Sequence, residues 1–236
     1  MARFHLPSAQ WDSATLEGDE ARHLSQVLRL RPGDVITVFD GAGRRAPAEI
    51  VSAAKDRISL KIGESVWSPV PRPRITLAQA IPKGKNMDFI VQKAVELGVA
   101  AIQPLVTRHT VVQPGDGKAD KWRRIALEAC KQCGQDALPE VAEPITFSQW
   151  LACKPAADLN LIASLAPGAP AFRETLAAHP TVESLTLLIG PEGDFTATET
   201  NDAITAGFLP VSLGNIVLRV ETAALFCISA VRFFHG

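Results

Sequence analysis

Two short stretches of the chain combine residue types able to hold a small ligand and act on it. The first, Leu188-Ile189-Gly190-Pro191-Glu192-Gly193-Asp194-Phe195, sets two glycines around a Pro-Glu pair, so its backbone can turn sharply and come close to a ligand. The second, Ser212-Leu213-Gly214-Asn215-Ile216-Val217-Leu218-Arg219-Val220-Glu221-Thr222-Ala223, is mostly apolar and carries one cation and one carboxylate just before the last helical pattern. Arg219 can stabilise an anion that develops during a reaction, or hold a carboxylate of a ligand. Glu221 can accept a proton, fix Arg219, or simply favour the start of a helix through the helix dipole. Glu192 can bond backbone N–H groups and so hold the shape of its own turn. Several chemistries are excluded by what the chain lacks. It has no G-x-G-x-x-G and no G-x-x-x-x-G-K-[ST], so nothing signals a dinucleotide or a nucleoside triphosphate, and neither G-x-S-x-G nor H-E-x-x-H occurs. A ligand without phosphate fits better, such as an adenosyl group gripped by backbone N–H and C=O groups between apolar side chains.

The elements that must position these loops follow from periodicity. The first 70 residues read as short strands at 35–40, 46–53 and 57–66, with turns at Gly41-Ala42-Gly43 and Lys55-Asp56. One helical pattern, 19–30, interrupts them and sets Leu24, Val27 and Leu28 on one face, with Arg22, His23, Arg29 and Arg31 around it. A small β-barrel with one short helix is the natural fold. Three prolines between 69 and 73 forbid a regular helix and mark a linker. Beyond it the rhythm changes to strand-length apolar runs at 75–81, 101–106, 159–164, 185–189 and 208–213. These alternate with helical patterns at 87–97, 120–132 and 221–234 and a capping box at Thr196-x-x-Glu199 whose helix stops at Gly207. Alternating β and α elements predict a mostly parallel sheet covered by helices. In such sheets ligands bind beyond the carboxyl ends of the strands, which is where both loops fall.

Composition narrows the partners. The 236 residues carry a formal net charge of −1, so the chain does not bind nucleic acid by bulk charge. Its charge is segregated, however. Residues 72–131 hold eleven Lys and Arg against five Asp and Glu, whereas residues 132–236 hold four against eleven. A basic middle beside an acidic end can form a local phosphate-binding face. Cys130 and Cys133 make a lone C-x-x-C inside a helical pattern, with no second pair and no nearby His, which reads as reduced thiols and no metal site. No apolar run is long enough to span a bilayer and the N-terminus lacks a signal-peptide pattern, so a cytoplasmic protein is expected.

Both loops resemble the cofactor loops of SPOUT methyltransferases. More closely, LLIGPEGDF and SLGNIVLRVETAAL are similar to those of the RsmE family, which methylates N3 of a uridine in bacterial 16S ribosomal RNA. The likeness extends to Lys83-Gly84-Lys85, Gln92-Lys93-Ala94-Val95-Glu96-Leu97-Gly98-Val99, Thr107-Arg108-His109, Trp122-Arg123-Arg124-Ile125 and Glu128-Ala129-Cys130-Lys131-Gln132-Cys133-Gly134. His23–Leu30 with Arg31-Pro32-Gly33-Asp34 fits that family's PUA-like domain. The resemblance implies an α/β fold: a PUA-like RNA-binding β-barrel over residues 1–70, then a SPOUT methyltransferase domain over 74–236 with a mostly parallel sheet and a C-terminal trefoil knot. It implies S-adenosyl-L-methionine as cofactor, lined by Leu165, Gly190, Pro191, Glu192, Gly193, Leu213, Gly214, Ile216, Leu218, Arg219, Thr222 and Ala223, with Arg219 and Glu221 catalytic. Arg22, Arg29, Arg31, Lys83, Lys85, Arg108, Arg123 and Arg124 become the candidate RNA contacts, and Trp122 could stack a base or cover the core. Implied partners are 16S ribosomal RNA or the small ribosomal subunit and a second copy of the chain, with neither a membrane nor a metal. Two positions depart from the family pattern: Asp194 stands where Gly is usual, and Gln135 where a basic residue is usual. A non-catalytic ribosome-assembly factor, or a methyltransferase with another RNA target, are the alternatives that the sequence leaves open.

Overall fold

The structure is a computed structural model that describes residues 2–54, 56–112, 114–154 and 156–235. Lys55, half of the expected turn at Lys55-Asp56, lies outside the described residues. The chain forms two compact units: Met1–Val70 with Leu127–Leu138, and Pro71–Ala126 with Pro139–Gly236.

The first unit contains β1 (Arg3–His5), β2 (Thr15–Glu17), α1 (Gly18–Arg22), β3 (Val35–Phe39), β4 (Arg44–Ala53), β5 (Arg57–Ile62) and β6 (Val66–Trp67). Its sheet runs β1-β3-β4-β5-β2 with β6 beside β4, and every ladder but β1–β3 is antiparallel. Along β4 the buried Ala46, Ala48 and Ile50 alternate with exposed Arg45, Pro47 and Glu49, the period of two expected of a half-buried strand. The inward residues join Phe4, Leu16, Leu24, Ile36, Val38 and Ile58 in one core. Two expectations fail here. The helix over 19–30 is realised only as α1; His23–Val27 then widens into a π-helical turn closed by Leu28 N–H on His23 O at 3.0 Å, and Arg29 takes φ 55°. The wider turn breaks the 3.6-residue face, so Leu24 is buried while Val27 and Leu28 stay exposed. The single strand expected over 57–66 is divided into β5 and β6, which pair with different stretches of β4.

The second unit supplies β7 (Arg74–Ala80), α2 (Asn86–Glu96), β8 (Ala101–Val106), α3 (Lys118–Cys133), β9 (Glu140–Val141), β10 (Ile145–Thr146), α4 (Phe147–Cys153), β11 (Leu159–Ala163), α5 (Phe172–Ala178), β12 (Ser184–Ile189), α6 (Ala197–Thr205), β13 (Leu209–Val211) and α7 (Val220–His235). By residue, the last turns of α3 belong to the first unit. All ladders of its sheet are parallel, in the order β10-β8-β7-β12-β11-β13 with β9 on β8. Central β12 is buried over five of its six residues, as a strand covered on both faces must be. Thr196 and Glu199 form the expected capping box at the start of α6. A second one, Thr146 with Gln149, opens α4. Trp122 is buried and donates from Nε1 to Asp88 Oδ1 at 3.1 Å, so it covers the core and presents no face to a base. Helix α7 packs against α2, β12 and β7. Among the described residues no helix is long and apolar enough to cross a membrane.

Candidate active site

The order of the second sheet reverses at its centre. From β7 the chain builds outward through β8 to β10, whereas β12, β11 and β13 lie on the other side. The crevice at the carboxyl ends beside such a reversal is the usual ligand site of an open α/β sheet. A cavity of about 590 Å³ lies there, within the ~300–1,000 Å³ typical of small-molecule sites. It is walled by the segments after β11 (Ala163 to Ala166), after β12 (Ile189 to Glu192, and Asp194) and after β13 (Ser212 to Leu218). The start of α7 and Asn86, the first residue of α2, complete it.

Ten of the twelve residues expected at the cofactor line this cavity: Leu165, Gly190, Pro191, Glu192, Leu213, Gly214, Ile216, Leu218, Arg219 and Ala223. Gly193 and Thr222 do not. Gly193 lies against the His109 side chain, and a Cβ there would sit 3.1 Å from His109 Cβ, so its smallness serves packing within the protein. Thr222 is exposed, because at about 100° per residue it falls on the face of the helix opposite Val220, Glu221 and Ala223, which line the cavity. Gly190 has a similar internal reason for being glycine, since its Cβ would meet Asp194 Oδ1 at 3.1 Å and the Phe195 ring at 3.2 Å. Asn86 is a lining residue that no motif announced, and the one farthest in sequence from both loops. More than a hundred residues before the second loop, it enters because α2 follows the carboxyl end of β7.

The polar groups are individually fixed. Glu221 Oε2 accepts from Asn86 Nδ2 at 3.3 Å, and no ion pair joins Glu221 to Arg219. Arg219 is exposed at the cavity, and among the described residues its guanidinium has no hydrogen-bond or ion-pair partner, so it remains available to an anionic group. Glu192 does not bond its own turn. Its Oε1 accepts Lys83 N–H at 2.9 Å, tying the loop after β12 to the loop after β7. On the other side, His109 Nδ1 lies 2.9 Å from both Gly193 O and Asp194 O, so that nitrogen carries the proton and donates to the two carbonyls. Beside it, Arg108 N–H donates to Glu199 Oε1 at 2.9 Å. Asp194 takes φ 57°, a left-handed conformation that Asp tolerates better than most residues, and its Oδ1 accepts from Phe195 N–H at 2.8 Å. Burial pushes the Asp194 carboxyl above its usual range, against the Phe195 N–H and the nearby His109.

The basic candidates divide by their partners. Lys83, Lys85 and Arg108 are exposed; the loop of Lys83 is pinned to the cavity wall through Glu192, and that of Arg108 through its neighbour His109 on Asp194 O. Arg124 is exposed on α3 with no partner among the described residues. Arg123 instead donates to Asp120 and Glu143, each at 2.9 Å, and through Nε to Val141 O at 2.9 Å, so it holds α3 to the β9 segment. In the first unit Arg29 and Arg31 are exposed, and Arg22 pairs with Asp56 at 2.9 Å and Asp19 at 3.4 Å.

Comparison with known proteins adds an independent line. Residues 69–232 match the family model described as an RNA methyltransferase domain, and residues 16–63 match the RNA methyltransferase PUA domain. The chain is similar to the ribosomal RNA small subunit methyltransferase E of Synechocystis, at 34% identity over 93% of this chain and 73% of that protein. It is similar also to that of Bacillus subtilis, at 31% identity over 93% and 89%. A solved structure of ribosomal RNA small subunit methyltransferase E from Neisseria gonorrhoeae, bound to S-adenosyl methionine, superposes with a TM-score of 0.88 at 34% identity, covering 99% of this chain and 97% of that one. The α/β unit with its parallel sheet, the PUA match before it and this likeness along nearly the whole chain have one reading: the chain belongs to the ribosomal RNA small subunit methyltransferase E family of RNA methyltransferases.

Proposed function

We propose that the cavity holds S-adenosyl-L-methionine and that the chain methylates N3 of a uridine in 16S ribosomal RNA, in the free RNA or in the small ribosomal subunit. The observation that carries this reading is the convergence of both chemistry-bearing loops on one cavity, with an Arg219 that is unpartnered among the described residues and an anchored Glu221 at the start of α7. The residues fit the group. Backbone from Ile189 to Pro191 and from Ser212 to Leu218 offers N–H and C=O groups, while Leu165, Ile216 and Leu218 offer apolar surface. When bound, S-adenosyl-L-methionine supplies an electrophilic methyl group. The remaining work falls to this chain. Loops after β11, β12 and β13 orient the donor, Glu221 takes the imide proton of the uridine, and Arg219 stabilises the anion left on the base.

Residues 1–70 act in this reading as a PUA-like β-barrel that carries RNA, and residues 74–236 as the SPOUT methyltransferase domain with its C-terminal segment drawn into a trefoil knot around the cofactor. Arg22, Arg29, Arg31, Lys83, Lys85, Arg108 and Arg124 meet phosphates. Lys83 and Arg108 are the best supported of these, because their loops are bonded to the cavity wall, that of Arg108 through His109. The enzyme works in the cytoplasm as a homodimer. Phe226 and Phe233, seven residues apart on one face of α7, are exposed in the single chain and suit such an interface.

The test is mass spectrometry of 16S ribosomal RNA from a strain lacking the protein. One methyl group should be missing from a uridine and should return with the wild-type gene but not with Arg219→Ala, whose dimer on a sizing column should be unchanged. An unaltered methylation map would refute the assignment.

A further inference from the structure

Four charged side chains line the cavity, and three of them are acidic: Glu192, Asp194 and Glu221, against Arg219 alone. Glu192 and Glu221 each have a partner that explains them, in Lys83 N–H and Asn86 Nδ2. Among the described residues the Asp194 carboxylate takes one hydrogen bond, from the N–H of its own neighbour, with the His109 ring nearby. Its placement is nevertheless closely specified. The His109 ring holds the carbonyls of residues 193 and 194, the backbone is left-handed at φ 57°, and Oδ1 is seated 3.1 Å from where a Cβ on Gly190, another lining residue, would be. A half-buried carboxylate with so little solvation gains more than a surface one from a cation brought beside it.

We propose that Asp194 is a specificity-determining residue that reads the charge of the occupant, favouring the cationic methyl donor over the product, whose sulfur is neutral. This rests on the reading that S-adenosyl-L-methionine occupies the cavity. The donor carries one more positive charge than S-adenosylhomocysteine and differs from it otherwise by one methyl group, so a carboxylate in the wall of the cavity separates the two by charge. The consequence is functional: product that binds less tightly than donor leaves the site for the next turnover.

Direct calorimetry of the full-length protein with each ligand tests this without reference to activity. The informative variant is Asp194→Asn. Asn adopts the left-handed conformation readily and keeps an oxygen for Phe195 N–H, so only the charge is lost. The preference for S-adenosyl-L-methionine over S-adenosylhomocysteine should fall by about fivefold or more, as expected for one unit charge at several ångströms in a partly desolvated site. Asp194→Gly, also at ease with φ 57°, should lower the preference by a similar factor. Methylthioadenosine, which is neutral and lacks the amino-acid portion, should bind wild type and Asp194→Asn alike. An unchanged preference in Asp194→Asn overturns the proposal, as does equal weakening of all three ligands, which would make Asp194 a structural residue of the loop. If wild type binds none of the three, the cofactor reading fails, and that outcome is distinct from the other two.

Discussion

Asp136 offers the sharpest test of how the first unit is held together. Its carboxylate is 1% exposed and takes Arg3 Nη2 at 2.6 Å, Arg45 Nη1 at 2.8 Å and the Ser68 hydroxyl. It thus clasps the 127–138 segment to β1, to the start of β4 and to the residue after β6. Burial alone would push this carboxyl up, yet the hydrogen bonds from Ser68, Arg3 and Arg45 outweigh it and hold the group below the usual carboxylate range. Asp136→Asn keeps the shape and removes the charge. Removing one member of a buried pair costs about 3–5 kcal/mol, because the other charge is stranded. Arg3 is 15% exposed and fits that case, although it keeps Gln135 O at 3.0 Å and the Phe39 ring beneath it. Arg45 is 45% exposed, so its share is that of a surface pair, about 0–1 kcal/mol. The expected loss is therefore about 3 kcal/mol, or roughly a hundredfold faster hydrogen exchange at the protected amides of β3 and β4. Exchange followed by mass spectrometry on the full chain isolates this unit from the other. The pH dependence has a definite sign. A depressed folded-state value means that the stabilisation is complete above the ordinary Asp range near pKa ~3.9 and disappears as pH falls through the lower folded value. Asp136→Asn should lack that acid-side loss. Acceleration below about fivefold, near 1 kcal/mol, would refute the clasp.

Three further outcomes follow from the same contacts. Arg124→Ala should flatten the salt dependence of RNA affinity by about 0.7–0.9 of a log–log unit, as for one lost phosphate contact, whereas Arg123→Ala, whose guanidinium is bonded to Asp120, Glu143 and Val141, should leave the slope unchanged. A titration with a thiol reagent on the native protein should find the exposed Cys133 and Cys153 reactive. Cys130 and Cys227, whose thiols burial pushes up to about 12, should stay silent until unfolding. Asn86→Ala frees Glu221 from its donor, so the pH profile of methylation should move while donor affinity changes little; an unmoved profile would detach Asn86 from the chemistry.

What was legible in the sequence tracks what local physics controls. The strands of the second unit announce themselves because burial on both faces demands uninterrupted apolar runs, and β8 and β12 lie within a residue of where periodicity puts them. The Thr196 and Glu199 capping box is legible for the same local reason. The 19–30 segment misleads because an apolar period of 3.6 also tolerates a π-helical turn, and nothing within the segment chooses between the two. Helices α4 and α5 have seven residues each, too short for a period to stand out from noise. Most illegible is the membership of Leu127–Leu138 in the first unit, since that depends on Asp136 meeting Arg3 and Arg45 across more than ninety residues. At the site, the two loops were visible as motifs. Asn86 and Ser164 were not, because their roles come only from where strands β7 and β11 end.

The glycines of the first loop show how a motif residue can serve packing within the protein. A turn with two glycines suggests a backbone bared for a ligand, yet Gly193 does not line the cavity and faces His109 instead. Its φ lies outside the left-handed region, so alanine there is conformationally acceptable and any cost must be steric. The added Cβ would stand 3.1 Å from His109 Cβ and 3.3 Å from Cγ, and since a Cβ cannot rotate away, the His109 backbone or the loop has to move by a few tenths of an ångström. That movement stretches the two 2.9 Å contacts from Nδ1 that set the carbonyls of residues 193 and 194. Gly193→Ala should therefore destabilise by about 1–2 kcal/mol, the scale of modest overpacking, and should weaken donor binding through the displaced loop. A double-mutant cycle separates this from a direct ligand effect. In a His109→Gly background the clash has no partner, so adding Gly193→Ala should cost less than about 0.5 kcal/mol. Were the two costs additive, the His109 contact would not be the source of the cost, and the internal packing account would be wrong.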